Sequence, residues 1–478
     1  MHSPEKIKTD ICIIGAGSGG LSVAAGAAQM GARVTLIEKG EMGGDCLNYG
    51  CVPSKALIAA AKHAQAHRDG APFGVAPHEP DVDFAAVNAH VKSVIASIAP
   101  HDSQERFEGL GVKVIRAAGS FISPTEVRAG GHLIQARRFV VATGSRAGIP
   151  PIPGLAETPY LTNETIFELT ERPETLVIIG AGPIGLEMAQ AHRRLGSQVV
   201  VLEAGRAFGR EDPDLAAVAL AQLRKEGVEI REGVSISGVR QAMGKIIIDF
   251  EGGESLEGTH LLVAAGRAPN VDGLGLDEAG VEYSRRGVAV DARLRSSNKK
   301  IFAIGDVATG PGAGLQFTHL AGYHAGIVIR NILFRIPAKA SLKHIPRATY
   351  TDPEIAAVGW SAEEAKAELG DKAEIIEWSF TENDRAQAEL KTSGKIKAIL
   401  DKKGKIHGAG IVGPNAGELI QTWALAVSKG LTVKDIAGMV AAYPTLGEVT
   451  KRAAGQYYAP KLFAPRTRFI VRQLLKLG

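Results

Sequence analysis

Two cysteines, Cys46 and Cys51, stand in the run Gly43-Gly44-Asp45-Cys46-Leu47-Asn48-Tyr49-Gly50-Cys51-Val52-Pro53-Ser54-Lys55. Four residues separate them, a spacing that a helical turn closes into a disulfide when the Cβ vectors agree. Pro53 has the fixed φ of a helix start and Lys55 to Ala61 continue a helical pattern, which puts Cys51 at a helix N-terminus. That end of a helix favours thiolate over thiol, as a redox-cycling cysteine requires. Two buried free thiols are the bland alternative, and zinc would need more ligands than two cysteines. Because the pair directly follows a dinucleotide signature, redox use is favoured. Cys12, the only other cysteine, falls in the apolar strand Asp10 to Ile14 and reads as inert core.

The elements that must serve such a pair appear as an internal repeat. Ile-Cys-Ile-Ile-Gly-Ala-Gly-Ser-Gly-Gly-Leu at 11–21 recurs as Leu-Val-Ile-Ile-Gly-Ala-Gly-Pro-Ile-Gly-Leu at 176–186. In each copy an apolar strand leads into the glycines, a helical stretch follows, and a second strand ends in an acid, Glu38 or Glu203. The acid lies 23 positions after the first glycine, the βαβ spacing for a carboxylate that meets an adenosine ribose. Gly15 or Gly180 makes the turn, Gly17 or Gly182 lets the backbone approach a pyrophosphate, and Gly20 or Gly185 lets helix and strand pack; the helix N-terminus then faces the phosphates. Two dinucleotides are expected, one per copy. Glu203 would accept from a ribose 2′-OH and repel a 2′-phosphate, so NADH is favoured for the second, with Arg206 keeping NADPH as the minority reading.

Composition agrees with a folded α/β chain. Of 478 residues, 45% are apolar and 22% charged, which excludes general disorder, and the length suggests two to four domains. Fifty-five basic residues nearly balance 51 acidic ones, so nucleic acid is not an expected partner. Three cysteines are too few for a secreted disulfide scaffold and point to the cytoplasm; no signal peptide or membrane span is read. No histidine cluster has metal spacing, and no metal site is expected; His319 and His324 read as packing or capping residues. Pro/Gly breakers near residue 150, at 266–270 and near 336–346 divide the chain. The resulting expectation is two Rossmann-like dinucleotide-binding domains, at 1–150 with 271–345 and at 151–270, followed by an α+β domain at 346–478.

With these motifs in place, the sequence resembles the class I pyridine nucleotide-disulfide oxidoreductases over nearly its whole length. Pro53-Ser54-Lys55 is closest to the dihydrolipoamide dehydrogenase and mercuric reductase branches. Further matches are Ala142-Thr143-Gly144-Ser145, Ala265-Gly266-Arg267-Ala268-Pro269-Asn270, Ile301 to Val307, and Thr351-Asp352-Pro353-Glu354 at the opening of an interface domain. The resemblance implies that Gly15, Gly17, Gly20, Glu38, Gly44, Thr143, Gly144 and Ser145 bind FAD, with Asp306 on its ribityl chain and Gln316, Phe317, Thr318 and His319 bringing a helix N-terminus to its pyrimidine ring. It implies NAD contacts from Gly180, Gly182, Ile184, Gly185, Glu187, Glu203 and Gly266. Cys51 would be the thiol beside the flavin and Cys46 the interchange thiol, with Lys55 near the flavin and paired to Glu187. A homodimer and a small-molecule disulfide or other electron acceptor are implied as partners.

Two departures stand out. The family's disulfide reductases carry a C-terminal His-Pro-Thr…Glu segment whose histidine, supplied across the dimer, exchanges the proton of the interchange thiol; here it reads Tyr443-Pro444-Thr445-Leu446-Gly447-Glu448. With an ordinary pKa of ~10, tyrosine is a poor base at neutral pH. Mercuric reductases also lack that histidine but add a C-terminal cysteine pair, and no cysteine follows Cys51 here. Pro183 replaces the aromatic gate of glutathione reductases. The competing reading is a flavoprotein redox sensor or assembly subunit without turnover. Beyond Pro460, basic and apolar residues alternate at helical spacing from Arg466 to Leu477, which allows weak contact with a membrane surface; packing on the chain's own body is the stronger expectation.

Overall fold

The computed structural model describes residues 4–477, which divide into two compact units, 4–205 with 228–342 and 206–227 with 343–477. In the first, β1 (Glu5–Ile14), α1 (Ser18–Gln29) and β2 (Val34–Glu38) form the first βαβ, followed by α2 (Gly44–Asn48) and α3 (Cys51–Arg68). β1 lies between β2 and β3 (His132–Val141), parallel to both, with Ile14 beside Ile37 and Val141. Lys113–Arg116 and Ile301–Ala303 extend this parallel core. Where both faces are covered its strands are apolar runs, Ile11–Ile14 in β1 and Phe139–Val141 in β3. Cys12 is fully buried in β1, and burial pushes its thiol far above the ordinary range.

The second βαβ is β4 (Thr175–Ile179), α4 (Pro183–Arg194) and β5 (Gln198–Glu203). It belongs to a separate parallel sheet in which β6 (His260–Val263) flanks β4 and Glu229–Glu232 flanks β5. Pro183 occupies the first turn of α4, where a missing N–H costs nothing, and Arg193 and Arg194 stand at the end that favours cations. α5 (Thr318–Ile332) packs on α1.

The second unit is a five-stranded antiparallel sheet, ordered 347–349, 354–359, 406–413, 395–401, 373–379. Helix Ala416–Lys429 covers it through Trp423, which is fully buried. The chain finishes in α6 (Pro465–Leu474), none of whose residues is buried, so the expected packing of the tail on the chain's own body does not occur. Among the described residues no helix is long and apolar enough to cross a membrane.

Candidate active site

Cys46 and Cys51 do not share one helical turn. Cys46 lies inside α2, the backbone breaks at Tyr49–Gly50, and Cys51 is the first residue of α3; Pro53 is its third. The break aims both sulfurs at one point, where they are thiols hydrogen-bonded to each other. The hydroxyl of Thr318, first residue of α5, lies 3.4 Å from Cys51 Sγ. The hydrogen bond from Cys46 pushes Cys51 down to about 6, helped by Thr318 and the charge of Lys55 against the opposing effect of burial. Cys46 moves the other way, because its proton is held by Cys51 and because it is buried. The two sulfurs are thus unlike: Cys51 is the thiolate and Cys46 keeps the proton.

α3 also carries Lys55, whose Nζ donates to Glu187 Oε2 on α4 at 2.8 Å. Glu187 is buried, so this pair ties the cysteine helix to the helix of the second glycine unit.

Both glycine units form cradles. Gly17 and Gly182 precede α1 and α4 in extended conformation with no side-chain cap, leaving the helix N–H groups available to a phosphate. Glu38 accepts from Ala16 N at 2.6 Å and Glu203 from Ala181 N at 2.8 Å, which fixes each carboxylate at the mouth of its cradle. A Cβ on Gly44 would lie 2.7 Å from Gly17 Cα, so only glycine lets the cysteine segment approach α1 this closely. The donors and clearances fit dinucleotide pyrophosphates. Ile184 is on the open face of α4. Arg206 bonds Gly209 O at 3.4 Å.

Polar residues join the two chain crossings to the cysteine segment. Ser145–Ala147 pairs antiparallel with Arg267–Pro269, just after Gly266, and Thr143 Oγ1 donates to Asn270 O at 2.7 Å while Asn270 N donates to Gly144 O at 2.9 Å. Ser145 Oγ donates to Asp306 at 2.6 Å and Arg267 Nε reaches Ser145 Oγ at 2.7 Å. Arg267 continues to Asp45 Oδ2 at 3.1 Å, and Asn163 donates to Asp45 Oδ1 at 2.8 Å. Burial raises the Asp306 carboxyl, with Ser145 and Arg267 opposing. No role at the site was read from the sequence for Asp45, Asn163 and Arg267; Asp45 beside Cys46 and Arg267 beside Gly266 were within the quoted motifs, while nothing in the sequence pointed to Asn163. Gln316 and Phe317 lead into α5, His319 stacks on Phe317, and the buried His324 accepts from Gly305 N at 3.1 Å.

Tyr443 and Glu448 belong to the second unit. Tyr443 precedes a cis proline, is exposed, and donates to Asp384 Oδ2 at 3.0 Å, which raises its hydroxyl above the usual tyrosine range. Glu448 opens helix Glu448–Gln456, with Arg452 Nη2 at 3.9 Å.

A family model described as pyridine nucleotide-disulphide oxidoreductase matches residues 9–325, and its dimerisation domain matches 345–454. The chain belongs to that family. Mercuric reductase of Lysinibacillus sphaericus is 33% identical over 451 residues, covering 93% of this chain and 82% of that protein. Dihydrolipoyl dehydrogenase of Geobacillus stearothermophilus is 34% identical over 459 residues, covering 94% and 96%. Among solved structures, a Cu(II) complex of the HOCl-induced flavoprotein disulfide reductase RclA from Escherichia coli has TM-score 0.83 and 27% identity, covering 93% and 99%. LpdA from Mycobacterium tuberculosis has TM-score 0.86 and 27% identity, covering 94% and 99%. As a pyridine nucleotide-disulphide oxidoreductase, the protein is an FAD-dependent disulfide oxidoreductase with NAD(P)H as electron donor. Its dimerisation domain supports a homodimer.

Proposed function

We propose that the protein takes electrons from NADH and passes them through FAD and the Cys46–Cys51 pair to a small disulfide or other soft electrophile, in the manner of dihydrolipoamide dehydrogenase. The observation that carries this reading is the pair of unlike sulfurs, with the thiolate on Cys51 and Lys55 bonded to the buried Glu187. In the reading, Gly15, Gly17, Gly20, Glu38, Gly44, Thr143, Gly144, Ser145, Asp306 and residues 316–319 hold FAD, in a first domain at 1–150 and 271–345. Gly180, Gly182, Ile184, Gly185, Glu187, Glu203 and Gly266 hold NADH, in a domain at 151–270; residues 346–478 form the interface domain. FAD, when bound, exchanges two electrons between nicotinamide and the sulfur pair.

The chain's own residues then divide the work. Cys51 is held ionised by Cys46, Thr318 and Lys55, while Cys46 reacts with the acceptor. Reducing a disulfide closes the Cys46–Cys51 bond and releases two thiols, one taking the proton of Cys46 and the other a proton from solvent, so the proton on Cys46 must be moved. Tyr443 and Glu448 would approach the partner subunit's Cys46, yet the Tyr443 hydroxyl already donates to Asp384, which raises it and leaves even less phenolate than free tyrosine has to act as a base at neutral pH. A second reading is therefore favoured by the same residue: an acceptor bound as a soft metal ion, as in a mercuric reductase, or a quinone, whose reduction does not rely on a base at 443. Three cysteines are too few for a secreted disulfide scaffold, which suits a reducing compartment, the cytoplasm.

Steady NADH oxidation measured with lipoamide, glutathione disulfide, Hg(II), quinones and peroxides tests the reading. Turnover of a disulfide above the oxygen background is expected, and Tyr443→His should raise it by about tenfold or more, the range of a restored base. A metal or quinone preference unmoved by Tyr443→His selects the second reading. No turnover with any acceptor leaves a redox sensor.

A further inference from the structure

The last thirty residues, from Val449 onward, contain seven Lys and Arg and no Asp or Glu, against a net charge of +4 for the whole chain. The 448 residues before them therefore carry −3, and the basic excess is concentrated at one end. The family's dimerisation match stops at 454, just before this segment becomes exposed. Its root is held: Tyr457 donates from its hydroxyl to Lys402 O at 2.9 Å, and Lys461 Nζ sits 4.0 Å above the Tyr457 ring.

Beyond that anchor the chain makes a helix none of whose residues is buried. In α6 and the turn after it, Arg468, Arg472 and Lys476 recur at i, i+4 and i+8 and form one cationic stripe. Val471, Leu474 and Leu475 line the adjoining face, with Ile470 beyond them. Exposure is 59% at Leu474, 73% at Leu475 and 61% at Phe469, and Leu462 and Phe463 are open as well. Hydrophobic side chains are rarely left in water as a contiguous set unless something covers them.

We propose that α6 is an interfacial helix that lays its Val471/Leu474/Leu475 face into an anionic lipid surface while Arg468, Arg472 and Lys476, flanking that face, meet the headgroups. The charge decides the occupant. A second copy of this helix would bring like charges together, and a nucleic acid would satisfy the stripe but leave the apolar face in water. An anionic bilayer satisfies both, and an apolar face together with a basic cluster is the pair of signals that reversible membrane attachment needs. The family's homodimer supplies two such helices, and a two-fold axis places them at equal height along that axis. A surface lying perpendicular to that axis on the helices' side would meet both, and weak individual contacts would then reinforce each other.

Vesicle co-sedimentation of the flavin-loaded full chain tests this, using phosphatidylcholine vesicles with and without about one-third phosphatidylglycerol. Binding is expected only to the anionic vesicles, falling as salt is raised through the physiological range. Arg468→Glu with Arg472→Glu should weaken it by about tenfold or more. Val471→Ser with Leu474→Ser should also weaken it severalfold, and a chain ending at Pro465 should abolish it, all with NADH turnover unchanged. Equal soluble fractions for the full chain and the shortened one would overturn the proposal. So would loss of binding in the charge pair alone, which would mark a generic polyanion contact. A change of dimer assembly in the apolar pair, read by ultracentrifugation, would assign the face to another copy instead.

Discussion

Gly15 and Gly180 turn at φ 107° and 109°, and Gly17 and Gly182 share φ −80° and ψ −178°, so the two glycine cradles are near copies in backbone. A Cβ on Gly20 would lie 1.9 Å from Gly15 O, and one on Gly185 2.0 Å from Gly180 O. What lies over the cradles differs. Gly43 N donates to Ala16 O at 3.0 Å and the cysteine segment crosses the first cradle, with Gly44 Cα 4.0 Å from a Cβ built on Gly17. A Cβ built on Gly182 meets nothing within 4 Å. One backbone design thus appears covered and open in the same unit. The covered form suits a ligand that stays, which supports FAD there, and the open form suits one that exchanges, which supports NADH.

The largest effect should come from closing each cradle in turn. Gly20→Ala forces a carbonyl to move within a packed βαβ, an overpacking that costs ~1–3 kcal/mol or more. The protein should purify colourless and melt earlier. Gly185→Ala makes the equivalent clash in the second cradle, and it should stay yellow while NADH no longer bleaches it. Visible absorbance and a thermal melt on both proteins check this, and joint loss of flavin would mean the cradles are not independent.

The bridge between the cradles gives the next effect. With Cys51 at about 6, its thiolate outnumbers the thiol roughly tenfold at pH 7 and is lost only as pH falls through that value. Lys55→Met removes a nearby cation, so the midpoint should rise by roughly one pH unit, with a several-fold slower alkylation of the reduced protein at pH 6. An unmoved ultraviolet thiolate titration would mean that Cys46 and Thr318 alone hold the anion. A smaller change is expected at the ribose carboxylates. Glu203→Ala should relax discrimination against NADPH by about tenfold, since it removes the charge that repels a 2′-phosphate. Glu38→Ala should leave coenzyme preference alone, and the kcat/KM ratio for the two coenzymes reports both.

What the sequence disclosed follows the range over which each feature is built. The cradles are local: strand, glycines, helix and acid fall within one βαβ, and both appeared where the spacing put them. Lys55 and Glu187 are far apart in sequence, and family resemblance, not periodicity, paired them. The Asp45, Asn163 and Arg267 network was missed because polar residues flanking a motif have no period, and Asn163 lies 118 residues from Asp45. The tail shows the opposite limit. Its helical spacing was legible, but an amphipathic pattern does not say what a face meets, and the face expected to pack on the body is exposed.

The visible spectrum of the flavin-loaded dimer during anaerobic two-electron reduction tests most directly whether the covered cradle places Cys51 against FAD. Wild-type protein should develop a long-wavelength thiolate-to-flavin absorption band, and Cys51→Ser should lack it at unchanged flavin content. A band that survives Cys51→Ser would reverse the roles given to the two sulfurs.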